Sequence, residues 1–344
     1  MNEINLILYM LIAIFVFFII QRSLREGFAI PTNGERPFVD TFDDKGNQLP
    51  IVLLSHPFTR DSSYEQYKKY KEDNFLILGI SSYNEFPKIT TNTHDVLNNP
   101  NEKAWKNYDY MKVVSGWLHC FRQPDRFIDR GIPRALISES DFTDTVTFCP
   151  DKSVQKKYDF LYICPRDADK NCDGWVSTNK NWKLGKECVE ILCRDFNMRG
   201  LLVGRKGCPL PEHAAKNCET TDFLSRDQLI RCYRMSKAIL IPNQSDASPR
   251  VLTEALCCDV PALVNRNILG GWKYINGQTG VFFDSSKDFP DKVRKFQQNY
   301  FLFQPRNYFL NNYGKVNSGK RFRKFIKNNF KDKVDLSNTK YITL

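Results

Sequence analysis

The sequence predicts an α/β fold built on parallel sheets. From about residue 50 onward, short apolar runs alternate with longer amphipathic stretches. An apolar run without polar alternation is typical of a strand that is buried on both faces of a parallel sheet. The predicted strands are 51–54, 75–80, 111–114, 134–137, 160–163, 200–203, 238–241, 262–264 and 281–283, and the clearest helices are 182–196, 226–235 and 250–258.

Length and composition support two folded domains. The chain has 344 residues, of which 42% are hydrophobic and 26% charged, so it can form real cores. A polar, turn-rich stretch over 142–157 separates two blocks of predicted strands, and we take it as the domain boundary. The predicted organisation is an anchor and tether over 1–36, a short N-terminal domain over 37–150, a C-terminal domain over 151–310 and a basic tail over 311–344.

The N-terminal segment has the character of a membrane anchor. Residues 4–20 carry no charge and, as a helix, would span about 25 Å, which is near the lower limit for a bilayer. A cleaved signal peptide is the alternative, but it would require a basic start and a small-residue cleavage site. Because Arg22 and Arg25 follow the segment, the positive-inside rule predicts a single-pass protein with a cytoplasmic body.

Cysteine and histidine usage argues against a zinc site. The eleven cysteines form no C-x-x-C pair, and the four histidines form none of the usual metal-binding patterns. We expect no metal and no other cofactor. The cysteines are expected to be buried thiols in a reducing compartment.

The net charge of +11 suggests a polyanionic partner. A nucleic-acid partner is not expected, because no nucleic-acid-binding module is evident. The stretch 315–333 has eight Lys or Arg and one acid, with Phe322, Phe325, Ile326 and Phe330 at near-helical spacing. Two interpretations remain open: a helix lying on anionic lipid, or a terminal helix packed on the N-terminal domain.

The segment with the clearest chemistry follows the predicted strand 238–241. A loop leads to a helix that should begin near Pro249, with Ser248 as its N-cap. The start of a helix attracts anions, and a strand-to-helix turn of this kind lies at the carboxyl edge of the sheet. Asp246 in the loop and Glu254 in the second helical turn are placed to accept hydrogen bonds from sugar or ribose hydroxyls. At Gly270-Gly271 the backbone can approach a ligand closely.

These residues resemble the C-terminal domain of the GT-B glycosyltransferases, specifically the retaining, nucleotide-sugar-dependent family 4. The family pattern has two glutamates eight positions apart, then a strand, a Gly-Gly turn and a G-x-x-G-x-x-F segment. The chain has Asp246 and Glu254, the strand 262–264, Gly270-Gly271 and the segment 277–283. Asp246 departs from the pattern because the family has glutamate there. Upstream, Arg166 follows the strand 160–163, and Lys180 or, alternatively, Lys170 corresponds to the family lysine.

The resemblance implies two Rossmann-like domains facing a cleft, the N-terminal one short. It implies transfer of a sugar from a nucleoside-diphosphate sugar, with retention and without a metal. Arg166 and Lys180 would neutralise the diphosphate, Glu254 would bind the ribose and Asp246 the donor sugar. The other donor-binding candidates are Ser248, Pro249, Arg250, Phe223, Leu224, Gly270 and Gly271.

The N-terminal domain resembles the family less closely. His119 and His56 are candidates for its side of the cleft. The acceptor is unknown, and the anchor favours a lipid-linked or membrane-near one. The alternative function is a catalytically inactive GT-B-like scaffold at a membrane, suggested by the short domain and by Asp246. A dinucleotide enzyme is excluded because no G-x-G-x-x-G follows the strands 51–54 or 160–163.

Overall fold

A computed structural model describes residues 36–58, 61–83, 85–87, 108–167 and 172–344. The predicted anchor over 4–20 and Lys170 lie outside the described residues. Within the described ranges, no helix combines the length and the apolar character that a bilayer crossing requires.

The first domain contains a five-stranded sheet in the order β1-β2-β3-β4-β5. β1 pairs antiparallel with β2, and all other pairs are parallel. The parallel pairs place the carboxyl ends of β2 to β5 at one edge of the sheet. The elements are β1 Phe38–Phe42, β2 Gln48–Leu54, α1 Asp61–Glu72, β3 Leu76–Ile80, α2 Tyr110–Val113, β4 Trp117–His119 and β5 Arg134–Leu136.

The predicted strand over 111–114 is wrong. Its first three residues belong to α2, because the Asp109 carboxylate accepts a hydrogen bond from the backbone N–H of Met111 at 3.1 Å and caps a short helix. The third parallel strand is β4, which has three residues. The prediction also missed β1, whose partly exposed residues lack a continuous apolar run.

The second domain contains a six-stranded parallel sheet in the order β11-β10-β9-β6-β7-β8. From β6 the chain adds strands on one side through β7 to β8, and it then returns to add β9, β10 and β11 on the other side. The boundary between β6 and β9 is therefore the reversal point of the strand order, and in open α/β sheets ligands bind in the crevice at such a point. The elements are β6 Phe160–Ile163, α3 Trp175–Asn179, α4 Trp182–Phe196, β7 Gly200–Val203, α5 Glu212–Asn217, β8 Cys218–Thr221, α6 Arg226–Met235, β9 Ile239–Ile241, α7 Arg250–Cys257, β10 Ala262–Asn265, β11 Gly280–Phe283, α8 Phe289–Gln298 and α9 Pro305–Asn312.

The C-terminal helix α10, Gly314–Asn329, returns to the first domain. Phe322, Phe325 and Ile326 are buried in one cluster with strand residues of β2 and β3. The interpretation of this aromatic face as lipid-binding is therefore wrong, because the first sheet already covers it. The last residues join the same domain, where Thr343 pairs with Phe42.

A buried charge cluster joins the two domains. Asp141, just after β5, is fully buried and lies 2.8 Å from the Lys273 Nζ. The Tyr274 hydroxyl also donates to its carboxylate, and so does the backbone N–H of Ser138 at 3.1 Å. Lys273 and Tyr274 lie between β10 and β11, so these bonds fix the second sheet against the first.

We expect Phe322→Ala to lower the free energy of unfolding by about 3–5 kcal/mol, because it would leave a cavity under α10. Lys324→Ala, on the exposed face of the same helix, should change it by no more than about 0.5 kcal/mol. Urea unfolding of both variants measures the difference. Equal, small effects would contradict the packing of α10 on the first sheet.

Candidate active site

Loops that follow strands of the two sheets contact each other at the carboxyl edges. After β4, the carbonyl of Cys120 accepts a hydrogen bond from the Trp272 ring N–H at 2.8 Å. After β3, the ring of Tyr83 stacks on that of Trp175, with 6.3 Å between centroids. In each contact the two partners follow strands of different sheets. The loops that follow the strands therefore form part of the contact between the two domains.

Lys180 and Asp246 contact each other at the reversal point of the second sheet, between β6 and β9. Lys180 ends α3, which follows β6, and Asp246 lies in the loop after β9. The Lys180 Nζ lies 2.5 Å from Asp246 Oδ2, and the Asn243 amide donates to the same oxygen at 2.8 Å. Asp246 is only 8% exposed. The structure thus joins two predicted site residues that are 66 positions apart.

Arg166 lies in the loop after β6 but makes a different contact. Its Nη1 donates to the carbonyl of Lys206 at 2.8 Å, in the turn after β7. The structure therefore places Arg166 and Lys180 in segments that both follow β6. Their side chains are bonded to different neighbours.

Arg205 is a part of this region that the sequence analysis missed. It follows β7, is fully buried, and its guanidinium carbon lies 4.8 Å from the centroid of the Trp182 ring. Its Nε donates to the carbonyl of Cys164 at 2.9 Å, and its Nη2 to that of Pro165 at 2.7 Å. A cation directly after the apolar run 200–203 is the signal that could have found it.

A disulfide links the loop after β6 to the loop that contains Arg205. Cys172 follows β6 and Cys208 follows β7, and their sulfurs are bonded. The expectation that every cysteine is a thiol is therefore wrong for this pair, because the two loops bring the cysteines together at the carboxyl edge. The other nine cysteines are free.

Glu254 points toward helix α6. Its carboxylate accepts a hydrogen bond from the Tyr233 hydroxyl at 2.7 Å. Burial raises the pKa of Glu254, and the Tyr233 hydrogen bond partly opposes this shift. The Tyr233 hydroxyl orients the carboxylate.

The residues before α7 face the first domain. The helix begins at Arg250 with Pro249 at the N-cap position, so the predicted capping by Ser248 is wrong. The Ser248 hydroxyl instead accepts a hydrogen bond from the backbone N–H of Ser140 at 2.9 Å. The Arg250 guanidinium lies 2.9 Å from the Glu139 carboxylate. These side chains stabilise the domain interface.

The Gly270-Gly271 turn supports the Asp246 loop. A Cβ on Gly270 would lie 1.8 Å from the carbonyl oxygen of Ala247, and one on Gly271 would lie 2.4 Å from the Pro249 ring. The backbone N–H of Gly270 donates to the Asp246 carbonyl at 2.9 Å. The two glycines thus let this turn pack closely against the Asp246 loop of the same chain. We had predicted that they let the backbone approach a ligand.

Phe223 and Leu224 follow β8 at the same edge. Phe223 is 59% exposed, whereas Leu224 packs partly against the core of the second domain. The exposed ring of Phe223 is therefore available to a ligand.

The two histidines lie after strands of the first sheet. His119 ends β4 and is buried, and the Nδ1 of His56 lies 3.0 Å from the Ser55 hydroxyl. Burial lowers the pKa of His119 to about 4, and the charges of Lys273 and Arg134 add to the shift. Burial also lowers the pKa of His56 to about 4. Both rings are neutral at pH 7.

In the part of the chain that the structure describes, no three His, Cys, Asp or Glu side chains are grouped closely enough to hold a metal ion. The predicted site residues contribute ammonium, guanidinium, carboxylate, hydroxyl and imidazole groups. Such a set suits an anionic, hydroxyl-rich ligand.

Residues 211–315 match the family model described as glycosyl transferases group 1. The matched range includes Asp246, Glu254 and the Gly270-Gly271 turn, and it confirms the predicted resemblance to GT-B glycosyltransferases. It also supports the predicted class, a nucleotide-sugar-dependent transferase. The chain has no significant sequence match among curated proteins.

Solved structures share the fold of this chain. A sucrose-phosphate synthase from Thermosynechococcus elongatus has a TM-score of 0.54 and 12% identity, over 79% of this chain and 72% of that chain. The lipopolysaccharide outer core galactosyltransferase WaaB has a TM-score of 0.52 and 14% identity, over 80% and 75%. A pneumococcal O-GlcNAc transferase in complex with UDP and GlcNAc has a TM-score of 0.50 and 11% identity, over 75% and 53%. At these identities, the likeness establishes the GT-B-like fold with two Rossmann-like sheets.

We expect the buried His119 to make the protein sensitive to mild acid. Its pKa is about 4 in the folded chain against an ordinary 6.5, so its contribution to stability is complete above pH 6.5 and is lost as the pH falls toward 4. The loss amounts to about 1.4 kcal/mol per pH unit within that window. In His119→Gln, the free energy of unfolding should fall less steeply between pH 6.5 and 4, as urea titrations at several pH values would measure.

His213→Gln is the matched control, because the side chain of His213 is 42% exposed. Its free energy of unfolding should fall more steeply between pH 6.5 and 4 than that of His119→Gln. An unchanged slope in His119→Gln would contradict the assignment of the acid sensitivity to this ring.

Proposed function

We propose that the protein transfers a sugar from a nucleoside-diphosphate sugar to an acceptor hydroxyl, with retention of configuration and without a metal. The observation that carries the proposal is the Lys180–Asp246 ion pair at the reversal point of a group 1 glycosyltransferase domain. A cation that can bind phosphate and a carboxylate that can bind sugar hydroxyls are joined there.

The cations would serve the leaving group. As the bond between sugar and diphosphate breaks, negative charge builds on the leaving phosphate, and fixed positive groups stabilise it. Lys180 would exchange the Asp246 carboxylate for a phosphate oxygen. Arg166, from the loop after β6, would approach the same diphosphate.

The carboxylates would bind the neutral parts of the donor. Asp246, released from Lys180 but still bonded to Asn243, would accept a hydrogen bond from the sugar. Glu254, oriented by Tyr233, would accept from the ribose hydroxyls. Phe223 would contact the base with its exposed ring, and Leu224 would support it.

His119 and His56 would act on the acceptor side as neutral hydrogen-bonding groups. The pKa of each ring is about 4, so neither supplies a positive charge at neutral pH. Ser248, Pro249, Arg250 and the Gly270-Gly271 turn would act on the donor indirectly, because their described contacts are with the first domain or with the Asp246 loop.

We propose further that the protein is a single-pass membrane protein anchored by residues 4–20, with its body in the cytoplasm and a lipid-linked or membrane-near acceptor. Arg22 and Arg25 after the apolar segment support this orientation. The Cys172–Cys208 disulfide is of a kind more common in oxidising compartments. Digestion of the body by protease added outside intact cells would contradict a cytoplasmic body.

Donor turnover tests the enzyme. The full chain in detergent is mixed with a panel of nucleotide sugars, beginning with UDP sugars because the pneumococcal relative was solved with UDP. Donor breakdown is followed by NMR. We expect one donor to be consumed, and we expect kcat/KM to fall about 100-fold or more in both Arg166→Ala and Glu254→Ala.

Arg294→Ala and Glu212→Ala are matched controls on exposed helix faces and should remain active. The anomer in the product reports retention, and an unchanged rate in EDTA supports metal independence. Binding without turnover, when lipid acceptors are also present, would favour the inactive scaffold. A folded protein that binds no donor would overturn the transferase proposal.

The exposed face of α10 would complement the anchor. With the aromatic face buried, Lys320, Lys324 and Lys327 face solvent and can approach anionic headgroups without insertion. Each such charge near a membrane is worth about 1 kcal/mol. A chain lacking residues 1–35 should therefore sediment with phosphatidylserine vesicles and be released by salt.

The variant Lys320→Glu/Lys324→Glu/Lys327→Glu should lose this binding. The control Lys152→Glu/Lys287→Glu/Lys295→Glu, which reverses the same number of charges on exposed positions of the second domain, should keep most of it. Equal losses would show that only net charge matters, and would contradict a role for this face.

A further inference from the structure

Arg205 is a fully buried cation whose direct hydrogen-bond partners are neutral. In the described part of the chain, no carboxylate forms an ion pair with it, and its partners are carbonyls, a hydroxyl and sulfur. The Asp167 carboxylate is one hydrogen bond further away, because the Ser177 hydroxyl donates to it at 2.7 Å. A buried charge without a direct counterion is costly. Such a charge is retained most readily where it acts on something that the free protein lacks.

The guanidinium connects the segments that carry the proposed phosphate ligands. It bonds to Cys164 and Pro165, which directly precede Arg166. Both of its terminal nitrogens lie 3.0 Å from the Ser177 hydroxyl, in the helix that ends at Lys180. Arg205 therefore bonds to the backbone just before Arg166 and to a side chain of the helix that precedes Lys180.

The turn that carries Arg205 is shaped to bring it inward. Gly204 has φ +83°, and a Cβ there would lie 2.6 Å from the Cys164 carbonyl oxygen. Only a glycine lets the end of β7 approach the end of β6 so closely. The Cys172–Cys208 disulfide closes the other side of the same pocket, where the Arg205 Nη1 lies 3.8 Å from the Cys208 sulfur.

We propose that Arg205 is a positioning residue for the donor diphosphate. It holds the Arg166 and Lys180 segments in place, and its buried charge adds positive potential where the phosphates bind. In a low-dielectric interior this potential is weakly screened, so it favours ligands in proportion to their negative charge. This inference rests on the proposed function, because it requires a diphosphate at this site.

The test compares ligands that share a nucleoside and differ in the number of phosphates, and therefore in charge. Binding of UDP, UMP and uridine to the full chain, and of the guanosine series in parallel, is measured by calorimetry. For Arg205→Met we expect about a tenfold loss of UDP or GDP affinity, a smaller loss for the monophosphate and almost none for the nucleoside. Arg205→Lys, which keeps the charge, should retain the preference for the diphosphate over the nucleoside.

Lys295→Met removes one exposed charge from the same domain and should leave all three affinities unchanged. Equal losses for diphosphate and nucleoside in Arg205→Met would overturn the electrostatic role of Arg205. Failure of the unsubstituted protein to bind either series would overturn the proposed function, and this inference with it.

If Arg205→Met does not fold, Arg205→Lys decides the question. A folded lysine variant with an unchanged ratio of diphosphate to nucleoside affinity supports the role of the charge. A folded lysine variant that loses this ratio would overturn it.

Discussion

The arrangement of the two domains depends on one buried carboxylate. Asp141 receives hydrogen bonds from Lys273, Tyr274 and the backbone of Ser138, so its charge is fully satisfied away from water. Burial lowers the pKa of Lys273, and the neighbouring Asp141 opposes that shift. A pair of this kind contributes little net stability, but its geometry is demanding. It therefore selects one orientation of the two sheets, and this orientation brings their carboxyl edges together.

That orientation determines which residues remain available to a ligand. The start of α7 was expected to bind phosphate, but Ser248 and Arg250 bond to Ser140 and Glu139 of the first domain. The position that remains at the reversal point of the second sheet is the Lys180–Asp246 pair. The interface and the site are therefore built from the same loops, and a change in one alters the other.

Five of the six strands of the second sheet could be predicted from the sequence because their signals are local, whereas β8 is partly exposed and has no apolar run. The run 160–163 is apolar throughout, and the helical period over 182–196 is unbroken, so both elements have the predicted bounds. The predictions failed where a single contact determines the structure of a segment. A single side chain, Asp109, turns most of the apolar run 111–114 into a helix. The aromatic face of α10 could be predicted from the spacing of its residues. The strands that pack on this face lie nearly 250 positions earlier in the chain, and no local sequence pattern spans that distance.

The part of the candidate site that depends on local sequence signals could also be predicted. Asp246 and Glu254 lie within one strand–loop–helix unit, so their placement after a buried strand and before two glycine turns indicated a site. Arg205 contacts Cys164, 41 positions earlier, and nothing near Arg205 in the sequence shows where its side chain points. The two cations also differ physically. Lys180 is paired directly with a carboxylate, whereas the direct partners of Arg205 are neutral and the Asp167 carboxylate is reached only through Ser177. On the proposed function, the Lys180 charge would stay paired until the donor displaces Asp246, and the buried Arg205 charge would add to the attraction for the bound diphosphate.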